Sequence, residues 1–511
     1  MPSSIAAQLR SIADKLPQGS LPQLRSALID GIKRIDEPMQ LAVIGKISSS
    51  KSTLINAILG KREVMATGQL EVTYNVGWLK YGNPNKGITL HFKNGRPPQR
   101  KSQEDFKHWA TEGPSGQIND ISYIELYDDA EILKQVNIID TPGLSSIKGR
   151  DSQNTIDFIT RVRPDAVIML FTNSVSAEIL DVVKKFNAGT YFTPLNAVGV
   201  LGKIDQLWVS SKDRSRNAIE IAQSIRQQLL SMPIVADTLL DIYPISALQA
   251  LASSTLTLNQ IEDIRLLAQS DPSALQQAIA SPRAFVKKDL AGLMLGVPKR
   301  EELLKELGLY GICCALTLLK AHPEADTEMF KEHLWNQSGA HMFIKVLHNH
   351  FGQRARLIKM ESIYQQIRQQ IQLARSQASS RSIVNSIEQS VEDAFVDMVD
   401  EHNEYLLLNQ IYNHELELAT DIKKEFLHLA GEHGTSAPDL LGINNDAPTV
   451  KQMITLAGER EKYWRTRIVC CPDPDEIRWM EIIRLAYTRL RLKLQTMRFE
   501  YERARAFLFK G

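Results

Sequence analysis

Residues 45–53 read GKISSSKST and lie between an apolar run at 41–44 and a second apolar run at 54–59. This order predicts a strand, a loop of small residues and a helix. Backbone N–H groups of such a loop can surround a phosphate, and the helix N-terminus points at the anion. The motif G-x-x-x-x-G-K-[ST] is matched except that Ser50 replaces the second glycine. Serine there costs about 1 kcal/mol if the position needs a positive φ.

The loop predicts a set of nucleotide contacts. Lys51 would reach the terminal phosphates, as a catalytic residue, and the Ser52 hydroxyl would bind Mg²⁺. The remaining phosphate-binding residues predicted in the loop are Gly45, Ser48, Ser49, Ser50 and Thr53.

A second strand-like run, residues 136–140, ends in Asp140 and leads into a turn that contains Gly143. Asp140 would hold Mg²⁺ through water, and the Gly143 N–H would meet the γ-phosphate. Taken alone, the run also fits an ordinary strand that ends in a loop.

Two further strand ends predict a site for the base. Residues 196–205 end in Lys203 and Asp205. Asp205 can accept hydrogen bonds from both the guanine N1 and its exocyclic amine, a pair that adenine does not offer, while Lys203 would lie along the base. Ser246 and Ala247 follow another strand-like run, where a backbone N–H could reach the guanine oxygen. Each end fits an ordinary strand edge, but all four segments in this order predict a guanine-nucleotide domain.

The order and spacing of these motifs resemble a GTPase of the dynamin superfamily, and the bacterial dynamin-like proteins in particular. Asp140 follows Lys51 after a stretch far longer than in compact Ras-type domains, and that stretch carries strand-like segments at 74–81, 88–92 and 121–127. A looser similarity is to the mycobacterial isoniazid-inducible dynamin-like proteins, at residues 307–311, 338–339 and 351–359.

The resemblance implies further roles. Thr73 would sense the γ-phosphate and Mg²⁺, although it also fits a strand residue in a β-rich loop. Ser48 would be the catalytic serine, acting with a monovalent cation (K⁺ or Na⁺) that the Gly68 carbonyl binds when two GTPase domains pair. This sequence departs from the family at Ile47, where animal dynamins carry glutamine, and at Gly202, where threonine or asparagine is usual.

Composition predicts a soluble, cytoplasmic protein, and the family resemblance implies that it is peripheral on the inner face of the cell membrane. The net charge of +1 provides no global field for nucleic acid, so no nucleic-acid partner is expected. No N-terminal signal pattern is present. The longest apolar run, 309–319, is shorter than the about 20 residues of a spanning helix and predicts a buried one. The four cysteines form two adjacent pairs, which suit reduced thiols better than zinc or disulfides.

The predicted fold is an α/β GTPase domain, a mainly parallel sheet with helices on both faces, plus an elongated α-helical neck and trunk. The predicted divisions are neck helices at 1–37, the GTPase domain at 38–255, a helical extension or neck at 256–352 and a trunk at 353–511. Within the trunk, residues 383–430 predict one helix of roughly 70 Å, and the chain returns through 450–468 and 475–509.

The loop at 431–449 is the candidate membrane tip, because Leu440, Leu441 and Ile443 are apolar residues inside a polar segment. The alternative is that these residues pack back on the helices. The basic amphipathic helix at 477–511 is a rival lipid contact, although such helices also occur as core helices with a solvated charged face.

These features favour a dynamin-like GTPase that hydrolyses GTP to GDP through domain pairing and couples the cycle to membrane lipid. It would act as a homo-oligomer or as a hetero-pair with another dynamin-like chain. The alternative is a GTP-dependent switch whose helical part recruits a protein partner without lipid, which the near-neutral charge keeps open. A role in ribosome assembly is disfavoured, because no basic RNA-binding appendage is evident.

Overall fold

A computed structural model of the protein divides it into two compact units, Met39–Val346 and Met1–Pro38 with Leu347–Gly511. The structure describes residues 4–16, 21–46, 49–62, 64–65, 75–93, 95–106, 108–109, 120–142, 164–172, 196–211, 213–236, 238–287, 291–352, 355–375, 381–395, 399–412, 416–434, 436–443 and 448–508.

The described strands of the Met39–Val346 unit form one sheet. They are β1 (Met39–Gly45), β2 (Gly77–Tyr81), β3 (Ile88–Phe92), β4 (Gln99–Lys101), β5 (Ile121–Asp128), β6 (Val136–Asp140), β7 (Ala166–Phe171), β8 (Ala197–Gly202) and β9 (Ile242–Ile245). Their order is β4-β3-β5-β2-β6-β1-β7-β8-β9. The five strands from β6 to β9 run parallel, whereas β2 is antiparallel to β6, and β3 is antiparallel to β4 and β5. The mainly parallel α/β fold is confirmed.

The described helices of this unit alternate with the strands as expected and then continue alone. They are α3 (Lys51–Leu59), α4 (Ile204–Ser210), α5 (Ala218–Leu230), α6 (Pro233–Ala236), α7 (Ala247–Thr255), α8 (Leu258–Ala268), α9 (Pro272–Ala278), α10 (Pro282–Phe285), α11 (Val297–Ala321), α12 (Thr327–Ser338) and α13 (Ala340–Val346). Short 3₁₀ turns lie at Pro84–Lys86 and Glu131–Lys134.

Helices predicted to begin the neck share the core of the sheet. Leu303, Leu307 and Ile312 on α11 are buried in the same apolar cluster as Ile139 and Phe171 of the sheet. The apolar run at 309–319 lies on α11 and is largely buried, as predicted. Residues up to Val346 therefore belong to the unit that holds the nucleotide motifs, and the units divide there rather than near residue 255.

The other unit contains two N-terminal helices, α1 (Ser4–Lys15) and α2 (Pro22–Ile35), and a π-helical turn at Leu347–Gly352. They pack with α14 (Ala355–Arg375) and α15 (Arg381–Phe395) around one apolar core. Gly31 permits the close approach, because a Cβ there would lie 2.9 Å from the Ile363 Cγ2. Lys359 donates a hydrogen bond to the Ile35 carbonyl at 2.6 Å, which ties the end of α2 to α14.

The remaining helices are α16 (Val399–Tyr412), α17 (Thr420–Leu429), α18 (Ala437–Leu440), α19 (Val450–Cys470) and α20 (Pro474–Leu508). The single helix predicted over 383–430 is wrong, because this stretch contains α15, α16 and α17. Residues 416–419, between α16 and α17, are not helical, and the Leu416 N–H donates to the Gln410 carbonyl in α16. The break predicted between the two return helices is present at residues 471–473.

Among the described residues, no helix combines the length and the apolar character needed to cross a membrane.

Candidate nucleotide-binding site

The phosphate loop follows β1 and ends where α3 begins. Ser50 has φ 71° and ψ 29°, so the left-handed conformation expected of the glycine position is confirmed. Serine holds this conformation at a cost of about 1 kcal/mol. Gly45 is required at the start of the loop, because a Cβ there would lie 2.7 Å from the Ser49 Oγ and 2.8 Å from the Leu170 Cβ. Thr53 lies in the first turn of α3.

Lys51 is buried beneath this loop. Its Nζ donates hydrogen bonds to the carbonyls of Gly45 at 3.2 Å and Lys46 at 3.0 Å. Burial lowers the pKa of Lys51 to about 8, and the nearby Asp140 carboxylate opposes that shift. An ammonium group held by backbone carbonyls in this position can exchange those contacts for phosphate oxygens.

Asp140 lies beside the loop because β6 pairs with β1 in a register that sets Asp140 opposite Val43. The Ser52 hydroxyl donates to the Asp140 carboxylate at 2.9 Å. Burial raises the pKa of Asp140 to about 6, while Lys51 and the Ser52 hydrogen bond hold it down.

This pair suits a magnesium ion. Within the described residues, the buried Asp140 Oδ1 and the buried Ser49 Oγ have no hydrogen-bond partner. A carboxylate and a hydroxyl 2.9 Å apart, with a second carboxylate oxygen uncommitted, are the hard oxygen donors that Mg²⁺ prefers. Ser52 and Asp140 therefore fit the metal site predicted from the sequence.

The predicted base site lies where β8 and β9 end side by side, with Gly202 opposite Ile245. The Ser246 hydroxyl donates to the Asp205 carboxylate at 2.9 Å. Burial raises the pKa of Asp205, and the Ser246 hydrogen bond opposes the rise. Ser246 also accepts from the Gln249 N–H as the N-cap of α7, which Ala247 begins. The hydrogen bond from Ser246 holds one oxygen of Asp205 in place and so fixes the orientation of the carboxylate.

Gly202 and Lys203 connect the base site to the phosphate loop. Lys203 has a positive φ of 58° just before α4. A Cβ at Gly202 would lie 3.2 Å from the Ser49 carbonyl oxygen, so the absence of a side chain at this position allows the two loops to approach closely.

The structure brings Gly45, Ser49, Ser50, Lys51, Ser52, Thr53 and Asp140 together around the phosphate loop, and Lys203, Asp205, Ser246 and Ala247 together at the base site. Ile47, Ser48, Gly68, Thr73 and Gly143 lie outside the described residues.

The side-chain role of Ser246 was missed by sequence reasoning, which assigned this segment only a backbone contact. The signal available was the Ser-x-x-Gln pattern of a helix start. That pattern identifies the N-cap but not the contact with a residue 41 positions away.

Part of the candidate membrane tip is packed inwards. Leu441 is only 6% exposed, and Leu440 and Ile443 are half-buried. The alternative that these residues pack back on the helices therefore describes Leu441 in this structure.

Comparison with known proteins shows what the chain is similar to. Residues 41–188 match the model of the dynamin family. The isoniazid-induced protein IniC of Mycobacterium tuberculosis is 26% identical over 448 residues, which is 85% of this chain and 86% of that protein. Dynamin-like protein 2 of Campylobacter jejuni is 24% identical over 202 residues, 40% of this chain and 31% of that protein.

A solved structure of an oligomerised bacterial dynamin pair, described as providing a mechanism for the long range sensing and tethering of membranes, covers 95% of this chain and 89% of its own, with a TM-score of 0.33 and 12% identity. The family match shows that residues 41–188 carry a domain of the dynamin family, and the relatives show that the chain is similar to bacterial dynamin-like proteins.

Proposed function

We propose that this protein binds GTP with Mg²⁺, hydrolyses it when two GTPase domains pair, and uses the cycle to bind and remodel a membrane. The observation that carries the nucleotide part is the Ser52–Asp140 hydrogen bond of 2.9 Å beside the buried Lys51. It joins the phosphate loop to the metal carboxylate in one cluster.

The residues of the cluster have distinct roles. Lys51 would move from the Gly45 and Lys46 carbonyls to the terminal phosphates of GTP. Ser52 and Asp140 would hold the metal, one directly and the other through water. Mg²⁺ bound there would neutralise charge that develops on the phosphates during transfer.

Guanine selection is assigned to Asp205. Its carboxylate, with one oxygen already accepting from Ser246, would accept from N1 and the exocyclic amine of guanine. Adenine has no N–H at N1, so its base would leave the buried Asp205 carboxylate without that partner, which costs free energy.

The finer parts of the proposal come from the family resemblance. Ser48 and Thr73 would complete the catalytic set, Gly143 would contact the γ-phosphate, and the Gly68 carbonyl would bind K⁺ or Na⁺ in the paired state. The protein would act as a homo-oligomer or as a hetero-pair with another dynamin-like chain, peripheral on the inner face of the cell membrane.

GTP turnover at increasing protein concentration, with and without vesicles, tests the proposal. The wild type should show a turnover per molecule that rises with concentration, because pairing is bimolecular, and that rises again with lipid. Lys51→Ala should lack both binding and turnover, whereas Lys305→Ala, which removes an exposed lysine on α11, should behave as wild type.

Turnover that survives Lys51→Ala would refute the site. Binding of GTP with turnover that ignores both concentration and lipid would favour a switch that recruits a protein partner, the alternative that the near-neutral charge supports.

A further inference from the structure

A cavity of about 610 Å³ lies among α17, α18, α19 and α20, far in sequence from the nucleotide motifs. Asp421, Lys424 and His428 lie on one face of α17, at helical spacing, and Leu456, Glu459 and Tyr463 lie on the facing stripe of α19. Its size falls within the range of ligand pockets, about 300–1,000 Å³.

The apolar part of the cavity lining, here named its apolar end, consists of leucines. Leu440, Leu441 and Leu456 line it, and Leu441 is 6% exposed. The short helix α18 is held in place because the His428 Nδ1 lies 3.0 Å from the Asp439 carbonyl oxygen. The apolar residues therefore face a pre-formed space, where a hydrocarbon chain would lose water contact.

The inner wall is polar but fully paired. Glu425 accepts hydrogen bonds from the Tyr487 hydroxyl at 2.8 Å and the Trp464 Nε1 at 3.1 Å, and it forms an ion pair with Arg460 at 3.0 Å. Burial raises the pKa of Tyr487, so its hydroxyl remains a donor. This network holds the wall in place, and because the Glu425 carboxylate is already paired within the protein, it is not available to a ligand.

The mouth carries charges of both signs that are not paired. Asp421, Lys424 and Glu459 are exposed, and none has a hydrogen bond or ion pair from its side chain within the part of the chain that the structure describes. Tyr463, also at the mouth, is 52% exposed. One cation and two carboxylates beside an aromatic ring fit a ligand head with a negative group and an ammonium group.

We propose that this cavity binds one phospholipid with a phosphoethanolamine head group. The phosphate contacts Lys424, the ammonium contacts Asp421 and Glu459 over the Tyr463 ring, and the start of an acyl chain enters the apolar end. The inference rests on the proposed membrane function and gives the lipid contact a location. The leucines thus receive the lipid chain inside the protein, in place of inserting into the membrane.

Calorimetric titration of the full chain with dihexanoyl phosphatidylethanolamine, below its micelle concentration, tests the pocket without a bilayer. Dihexanoyl phosphatidylglycerol lacks the ammonium group, and glycerophosphoethanolamine lacks the acyl chains. Both are expected to bind at least about tenfold more weakly than the ethanolamine lipid, because each lacks one of the three groups that contact the cavity.

Lys424→Glu is expected to weaken binding by about tenfold or more, since it sets a carboxylate against the phosphate. Lys423→Glu is the matched control, with the same charge change on the next residue, outside the cavity, and should leave binding unchanged. Leu456→Trp should block the apolar end. Because Leu456 packs among helices, circular dichroism and GTP turnover are measured for every variant.

Flotation with phosphatidylethanolamine vesicles separates this inference from the proposed function. Wild type that floats but binds no short-chain lipid, or binds it equally well in Lys424→Glu and Lys423→Glu, overturns the pocket and leaves membrane binding intact. Equal binding of the glycerol lipid overturns the assignment of the head group. Wild type that neither floats nor binds the short-chain lipid overturns both the pocket and the membrane function.

Discussion

Replacing Asp140 with asparagine is expected to change how the stability of the Met39–Val346 unit depends on pH. Burial raises the pKa of Asp140 from its ordinary 3.8 to about 6, against the opposing effects of Lys51 and Ser52. The folded state therefore binds its proton more tightly than the unfolded state. Stability from this group is fully present below 3.8 and is lost as the pH rises through about 6.

The rise in the pKa of Asp140, from 3.8 to about 6, corresponds to about 3 kcal/mol of unfolding free energy once the carboxyl is ionised. Of this, about 1 kcal/mol falls between roughly pH 5 and pH 7. Lys51 stays protonated in that window, because its lowered pKa is still about 8. Since asparagine does not ionise, the unfolding free energy of Asp140→Asn should rise relative to wild type by about 1 kcal/mol across the window.

Urea unfolding of the nucleotide-free full chain, followed by tryptophan fluorescence, measures this difference. Trp464 and Trp479 lie in the helical unit, so both are replaced by phenylalanine in every protein compared. The reporters left are Trp78, Trp109, Trp208 and Trp335, all within Met39–Val346.

Asp129→Asn serves as the control, because Asp129 is exposed and its hydrogen bond with Lys61 lowers its pKa. Between pH 5 and pH 7, the unfolding free energy of Asp129→Asn should change with pH as that of wild type does. If the unfolding free energies of Asp140→Asn and wild type also change in parallel between pH 5 and pH 7, the Asp140 carboxyl is not desolvated and the reasoning fails.

Three further substitutions test the loops around the nucleotide. Ser50→Gly should stabilise the protein by about 1 kcal/mol in urea unfolding, because glycine adopts the φ of 71° without strain. The control Ser231→Gly, at a φ of −74°, should destabilise the protein. A loss of stability in both variants would show that the conformation of Ser50 is not strained. Gly45→Ala should cost about 1–3 kcal/mol, because its Cβ overlaps Ser49 and Leu170. The control Gly458→Ala should not destabilise the protein, because this helical position has only the Arg491 Cδ near the new Cβ, at 3.4 Å. Equal losses of stability in the two variants would count against the overlap at Gly45. Ser246→Ala should weaken GTP binding by about tenfold and reduce the preference for GTP over ITP, which lacks the exocyclic amine, because Asp205 loses its orienting hydrogen bond. Ser253→Ala, which removes a helix-internal hydrogen bond on α7, should keep that preference, and an unchanged preference in Ser246→Ala would separate Ser246 from base recognition.

Much of the nucleotide site could be predicted because its signals are local. An apolar strand that ends in a charged residue identifies Asp140 and Asp205 without knowledge of the fold. Parallel strands then bring their carboxyl ends to one edge. Even the strained conformation of Ser50 followed from the residue type expected at that position.

The contacts that the sequence does not predict involve residues far apart in the chain, which a local sequence pattern does not reveal. Helical periodicity shows which face of α11 is apolar, but not that the sheet buries it. In the same way, three apolar residues in a polar loop do not reveal that Leu441 meets a cavity between helices. The non-helical residues 416–419 contain neither glycine nor proline, so composition gives no sign that the predicted long helix is interrupted.

The phosphate loop and its surroundings bury two ionisable groups at a cost in free energy, and a bound nucleotide with its metal ion would offer each group a partner of opposite charge. Lys51 is a buried cation whose lowered pKa shows that its charge is poorly solvated, and a phosphate supplies the missing anion. Asp140 is a buried carboxyl whose raised pKa calls for a cation. GTP alone would satisfy Lys51 but would bring more negative charge beside Asp140, whereas its magnesium complex would satisfy both. Under the proposed function, binding of GTP and of Mg²⁺ should therefore be cooperative and, by linkage, reciprocal, with the Asp140 carboxylate as the group that would couple them.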